Sequence, residues 1–367
     1  MKIAYVASFG NTFFNGVFRK IDSQLSVWRA LPGVEVETFF RAVEGVDVLG
    51  GKAYRINWPP AFAYSAGFIR GIRHFSPDMI YLRHEICGPQ MMELVRAFSG
   101  KVALEINADL DAELRLEARH SLKRRAAYLV NSVTSGYLEK HLGACVCVSS
   151  DFLPFFPHVP DDRKMVSPNC INLDKHPVCK RAATPDSARP ALLFMGTPNQ
   201  VWHGVDLLPP LAYALPEFDF HIVGANALPD APPNMIFHGY QPPEKLQSFY
   251  ARSHIGIGSL AFFRKNIYEA SPLKVREYIA AGLPVILGCQ DSAFKENVPG
   301  WVLPLEPGED LFERPEIVDN VRRFVARCAD LTVSHVESAP YIDAQAAERR
   351  KIRLLEEWFC SSGRCQQ

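Results

Sequence analysis

The sequence predicts an α/β protein of two doubly wound domains, each a parallel sheet covered by helices. Three observations predict it. The chain opens as strand, glycine-bearing loop and helix: Ile3–Ala7, then SFGNTFFNG over Ser8–Gly16, then a helical run from Val17 to about Leu31. That order opens a doubly wound fold. The alternation restarts at Ala191–Met195, after a segment rich in Pro, Ala and charge, Lys180–Pro190, that reads as a linker. The length of 367 residues suits two domains of ordinary size.

Composition narrows the function classes. Acidic and basic residues balance at 40 each, so no global charge points to nucleic acid. Nearly half the chain, 48%, is hydrophobic, enough for large cores. Nine cysteines are scattered without the Cys-x2-Cys spacing of zinc sites, and they read as reduced, structural thiols. Met1 runs straight into the first strand, without a leader pattern. No apolar run is long enough to span a membrane. The expected location is the cytoplasm.

In the first half, Val34–Phe40 alternates as a second strand. Ala61–Phe75 reads as a helix and Met79–Leu82 as a strand. Arg83, His84 and Glu85 follow at a strand's carboxyl end, where open α/β sheets place ligands. His84 is therefore a candidate, with a hydrogen-bonded structural histidine as the other reading. Val102–Ile106 is a strand ending in Asn107, Ala108 and Asp109, and both polar residues fall at its carboxyl end. Asp109-Leu110-Asp111 spells Asp-x-Asp, a pattern common by chance, with Asp111 suited to the first turn of the next helix. Glu113–His141 is helical, as one helix or two. Arg115, Arg119, Lys123, Arg124 and Arg125 make its first part basic, while Leu114, Leu122, Ala126, Leu129 and Val130 interleave. Such a helix either lies on an anionic membrane surface or turns a solvated face to water. Ala144–Val148 is a buried strand.

In the second half, Phe220–Val223, Ile236–Phe237, Ile255–Leu260 and Val285–Leu287 read as strands. Glu244–Tyr250, Pro315–Leu331 and about Ala344–Trp358 read as helices. The most informative stretch is Glu269–Gly288, EASPLKVREYIAAGLPVILG. Ser271 suits a helix N-cap and Pro272 the first helical position. Gly282 ends the helix in the left-handed region and Pro284 prevents its continuation. Glu269 then lies in the loop before the helix. Lys274 sits in the first turn, where the helix dipole favours negative charge. A cation there makes sense beside a bound anion, held also by the free N–H groups of Leu273 and Lys274. Glu277, about one turn on, is placed to accept hydrogen bonds from hydroxyls of the same ligand. An i,i+3 surface pair of Lys274 with Glu277 is the structural alternative.

The whole string, with its Glu-x7-Glu pair, SPLK, EY, AAG and PVI, resembles the nucleotide-sugar signature of retaining GT-B glycosyltransferases, family 4 in particular. Two further stretches are similar to that family. MVSPNCINLD over Met165–Asp174 resembles its Pro-Asn-Gly-(Val/Ile)-Asp segment at the domain crossing, with Cys170 where Gly is usual. GTPNQVWHGVD over Gly196–Asp206 resembles its diphosphate loop, with Thr197 where Arg is frequent and His203 where Lys is frequent. The family histidine of the first domain is not evident.

The resemblance implies two Rossmann-like domains facing across a cleft: 1–175 on the acceptor side, 176–343 binding the nucleotide sugar, and 344–367 a helix packing back on the first domain. It implies retaining, metal-independent transfer from a nucleotide sugar to a glycan or lipid-linked acceptor, as in surface polysaccharide biosynthesis. No cofactor, metal or nucleic acid is expected, and the Asp-x-Asp pattern belongs to the other large glycosyltransferase fold, GT-A. The implied catalytic residues are Glu269, Lys274, Asp109 and Asn107. The implied donor-binding residues are Glu277, Gly196, Thr197, His203, Ser271, Pro272, Leu273, Gly16, Arg264 and Lys265. Asn15 and His84 fall on the acceptor side. From the residues themselves, the Arg115–Arg125 region is a candidate peripheral membrane contact, at the membrane's inner face, with a solvated charged face the favoured reading. A sugar-nucleotide 2-epimerase and a non-catalytic nucleotide-sugar-binding protein are the alternatives.

Overall fold

The computed structural model describes residues 1–9, 16–42, 52–56, 65–119, 121–179, 189–198 and 200–360. The chain divides into two compact units, Met1–Ser167 with Gln345–Gln367, and Pro168–Ala344. The linker predicted over Lys180–Pro190 lies mostly outside the described residues.

The first unit runs β1 (Lys2–Phe9), α1 (Gly16–Arg29), β2 (Glu35–Ala42), β3 (Lys52–Arg55), α2 (Phe68–Phe75), β4 (Met79–Arg83), α3 (Pro89–Ala97), β5 (Val102–Ile106), α4 (Leu110–Glu117), α5 (Leu122–Glu139), β6 (Leu142–Cys147) and β7 (Lys164–Val166). Its strands form one parallel sheet in the order β3-β2-β1-β4-β5-β6-β7. Of the helix expected over Ala61–Phe75, residues 61–64 lie outside the described residues, and α2 begins at Phe68, because Gly67 takes φ 78 and stands as its N-cap. The edge strand β3 is absent from the sequence reading because its KAYR carries little apolar signal. Trp28 is fully buried, its ring 4.8 Å from Tyr81 and 5.7 Å from Tyr5.

The second unit runs β8 (Ala191–Met195), α6 (Leu208–Ala214), β9 (Asp219–Val223), β10 (Met235–Phe237), α7 (Pro243–Arg252), β11 (Ile255–Ile257), β12 (Glu269–Ala270), α8 (Leu273–Ala280), β13 (Val285–Leu287), β14 (Gln290–Asp291), β15 (Val302–Pro304), α9 (Pro315–Cys328) and α10 (His335–Ile342). Six strands pair in parallel in the order β10-β9-β8-β11-β13-β15, and β12 pairs with β14. Alternate residues of β8 serve opposite faces: Leu192 and Phe194 enter one apolar core, Leu193 and Met195 the other. A sheet covered on both sides needs such continuous apolar strands. Ile171 and Leu173 belong to the second unit's core, and the Ile171 N–H donates to Ile342 O at 2.8 Å.

The last helix, α11 (Ala344–Cys360), lies in the first unit from Gln345 onward. There the Trp28 Nε1–H donates to Glu348 Oε2 at 2.8 Å, and Lys351 pairs with Glu348 at 2.7 Å. In both large sheets the chain changes direction at one point, between β1 and β4 and between β8 and β11. The carboxyl ends of those strands are where this topology opens a crevice.

Candidate functional site

In the second unit, Gly196 and Thr197 follow β8 directly at its switch point. Gly196 N–H donates to Val223 O at 2.8 Å. The neighbouring Gly224 has φ +81, and a Cβ there would stand 2.4 Å from Gly196 O. Only glycine fits at 224, so the loop after β8 lies flat against the end of β9.

The loop turns back through His203. Thr197 N–H donates to His203 Nδ1 at 2.9 Å. Burial, reinforced by the charges of Lys274 and Lys265, lowers the imidazole to about 2 and keeps it neutral. With Nδ1 accepting, the ring proton sits on Nε2, which becomes a neutral donor. The sequence reading set His203 in the place of a family cation; the structure makes it uncharged, because burial disfavours the imidazolium and two lysines nearby add to that.

Helix α8 meets the same spot. Its N-cap is Pro272, not Ser271, and no side chain caps it and no acid stands in its first turn. Ser271 fails to cap because its hydroxyl is drawn inward: it accepts from Asn169 N–H at 2.8 Å and from the Arg276 guanidinium at 2.7 Å. Arg276 is fully buried and also binds both carboxylate oxygens of Asp291, at 2.8 and 2.6 Å, and Asn169 O at 2.6 Å. This lock fixes the SPLK turn from below and leaves the Leu273 and Lys274 end of the helix uncapped.

Lys274 Nζ donates to Met195 O at 2.7 Å and lies 4.5 Å from the Phe194 ring centroid. Burial lowers its ammonium from 10.5 to about 7. Met195 N–H donates to the Tyr278 hydroxyl at 2.7 Å, so two residues of α8 hold both backbone polar groups of the last residue of β8. Half-buried Glu277 accepts from the Tyr250 hydroxyl at 3.2 Å. The lysine is therefore spent on the β8 carbonyl and an aromatic face rather than on a surface pair with Glu277.

Other candidates are placed differently. Glu269 lies in the short strand β12 rather than in a loop, is buried, and accepts from Ser292 Oγ at 2.9 Å and Lys295 Nζ at 2.8 Å. Arg264 does not supply a spare cation: it binds Asp206 at 3.1 and 2.8 Å, Glu309 at 2.8 and 2.5 Å, and Val201 O at 2.8 Å. These carboxylates raise its already high pKa further. Buried Lys265 lies 4.4 Å from the Trp202 ring centroid.

In the first unit, Gly16 opens α1, while Asn15 and the rest of the Gly10–Asn15 loop lie outside the described residues. Asn107 is tied into a buried network centred on Glu105. Glu105 Oε1 takes Gln24 Nε2 at 2.9 Å, Tyr81 OH at 3.0 Å and Lys20 Nζ at 3.0 Å. Its Oε2 takes Asn107 Nδ2 at 3.1 Å and Arg83 at 3.3 Å. Despite burial, the cations of Lys20, Arg83 and Lys351 hold the carboxyl far below 4.5. Lys20 is lowered to about 8 by burial and donates to Asn107 Oδ1.

Asp109 caps α4 by accepting from Ala112 N–H at 2.9 Å, with Asp111 in the first turn. Among the described residues no group of three or more His, Cys, Asp and Glu is arranged to hold a metal ion. His84 is lowered to about 4 by burial, and its Nδ1 has no hydrogen-bond partner. It lines a cavity of about 250 Å³ with Asp109, Asp111, Asn131, Ser135 and Glu139 among others.

No family model matches the chain, and no curated protein matches it. Solved structures do. Sucrose-phosphate synthase from Thermosynechococcus elongatus is 14% identical with a TM-score of 0.69, over 98% of this chain and 99% of that one. The apo lipopolysaccharide outer core galactosyltransferase WaaB is 13% identical with a TM-score of 0.62, over 99% and 100%. Anabaena HepE in complex with UDP-glucose is 13% identical with a TM-score of 0.61, over 97% and 100%. At such identities the shared property is the fold.

Proposed function

We propose that this chain, whose fold is that of the GT-B glycosyltransferases, moves a sugar from a nucleotide-sugar donor to a glycan or lipid-linked acceptor. One observation carries the reading: Lys274, the uncapped start of α8, the neutral His203 and the flat Gly196–Thr197 loop converge on the carboxyl end of β8. The His203 Nε2–H and the Leu273 and Lys274 amides supply N–H donors to a diphosphate, the arrangement a helix start favours, and an arriving anion draws Lys274 Nζ away from Met195 O as its cation.

The leaving diphosphate gains charge as the glycosidic bond breaks. Lys274 and the α8 amides bind that charge more tightly in the transition state than in the ground state, which is what lowers the barrier. The finer reading is retaining transfer of the family 4 type, without a metal. Glu277 binds the ribose and Glu269, already neutralised by Lys295, orients sugar hydroxyls. The acceptor lies against the first unit, near His84. Surface polysaccharide is the product class, made at the cytoplasmic face of a membrane. UDP is the first nucleotide to test, since HepE is bound to UDP-glucose in its crystal.

The test is a thermal-shift series with UDP and UDP-sugars, followed by NMR of any product. Bound ligand raises stability in proportion to its affinity. A product with the donor's anomeric configuration supports the reading; an altered free nucleotide sugar points instead to an epimerase. Glu277→Ala is expected to weaken UDP binding by roughly 1.5–3 kcal/mol, and unchanged affinity in a folded variant removes Glu277 from the ribose. Treatment with a chelator is expected to leave transfer intact. Activity lost to chelation and restored by manganese would put Asp109 and Asp111 to work on a metal.

A further inference from the structure

We propose that the outward face of α5 docks the protein on an anionic lipid surface. On this helix Leu122 is 83% exposed, Leu129 59% and Val133 82%. Spaced seven and then four residues apart, they fall on one stripe of an α-helix, with exposed Ala126 between them. The sequence pairs the basic Arg115–Arg125 run with Leu114, Leu122, Ala126, Leu129 and Val130; Leu114 is 2% exposed and belongs to the core, and Val133 joins the exposed stripe.

The flanks are basic. Lys123, Arg124 and Arg125 are exposed in the first turn of α5, which has no acid. Arg124 reaches Glu117 at 3.0 Å. The only carboxylate of α5, Glu139, is buried. Basic side chains in a first turn oppose the helix dipole, as Lys274 does in the second unit, and an outside anion reverses the sign. Large apolar residues in a row beside cations match an interfacial helix. Nucleic acid would use the cations but leave the leucines and valine in water.

The stripe also leads somewhere. Gly136, exposed and on the same face, lines the 250 Å³ cavity together with Ser135 and His84. A head group on a lipid held beside Val133 therefore lies about one helical turn, ~5 Å, from that cavity. The proposal rests on the acceptor reading above for its purpose only, and its test needs no transfer assay.

The experiment is vesicle flotation of the full chain. Expected is binding to phosphatidylcholine vesicles containing phosphatidylglycerol, little binding to phosphatidylcholine alone, and weakening with salt. Lys123→Gln with Arg125→Gln should lower binding roughly tenfold or more, since each basic residue near such a surface strengthens binding roughly fivefold. Leu129→Glu with Val133→Glu should abolish it, with melting temperature and UDP-induced shift as in wild type. No binding of the folded protein to anionic vesicles overturns the proposal. So does binding retained in the Leu129→Glu, Val133→Glu variant. A dimer in ultracentrifugation that this variant dissociates would assign the stripe to a second copy instead. Duplex DNA that displaces the vesicles and binds the variant equally well would assign the cations to nucleic acid. If flotation fails while UDP still raises the melting temperature, the docking surface is wrong and the donor site stands.

Discussion

Asp291→Ala is expected to destabilise the second unit by about 3–5 kcal/mol, the usual cost of stranding a buried charge. Arg276 is fully buried and spends two of its nitrogens on Asp291. Without that carboxylate only Ser271 Oγ and Asn169 O remain to it, and neither carries charge. Ala293 N–H loses its acceptor as well. For a unit of this size the melting temperature should fall by roughly 6–20 °C. Replacing both partners, Arg276→Met with Asp291→Leu, should recover most of the loss, because a buried pair adds little net stability over apolar residues. Calorimetric unfolding of the two variants beside the wild type decides it. A single-variant loss under about 1 kcal/mol would mean that water reaches Arg276.

Lys274→Gln is expected to remove most of the UDP-induced rise in melting temperature, a loss of about 1.5–3 kcal/mol of binding, while the empty protein is no less stable than wild type. The sign follows from the lysine's surroundings. Its folded value of about 7 lies below the 10.5 of an unfolded lysine. Between those values the unfolded chain holds more protons, so stability rises with pH across that window. The charged lysine is thus a burden at neutral pH until an anion arrives. A bound diphosphate raises its pKa, so binding near pH 8 should take up close to one proton. Calorimetry in buffers of different ionisation enthalpy reads that uptake directly, and Lys274→Gln should abolish it. His203, held to about 2, starts too far away to contribute. Binding without proton uptake would separate Lys274 from the phosphate.

Much of the fold was legible because parallel strands buried on both faces are short, unbroken apolar runs. Val102–Ile106, Ala191–Met195 and Val285–Leu287 carry that signal alone and match β5, β8 and β13 to the residue. The stop of α8 was equally plain, and Gly282 takes φ +95. Other features depend on partners distant in sequence. Ser271 looks like an N-cap until Arg276 and Asn169 take its hydroxyl, and nothing in the string EASPLK announces Asp291. Arg264 looks like a spare cation because Asp206 and Glu309 lie 58 and 45 residues away. Asn107 was visible as a residue at a strand end, but the Glu105 network it joins draws its five donors from α1, β4 and the residue after β5, which cannot be counted along the chain. Local pattern thus revealed the elements and the helix start proposed as the anion site, while the partners that engage each side chain waited on the tertiary structure.

The return of α11 to the first unit sets an order on synthesis. Trp28 leaves the ribosome early, yet its buried indole N–H has its acceptor in Glu348, 320 residues later. The second unit is encoded without interruption by Pro168–Ala344. At ~5–20 residues per second, the first unit is made and then stays unfinished for roughly 10–40 s. The half encoded second is therefore the half completed first, and the nascent first unit needs shelter for its open tryptophan until the last helix arrives.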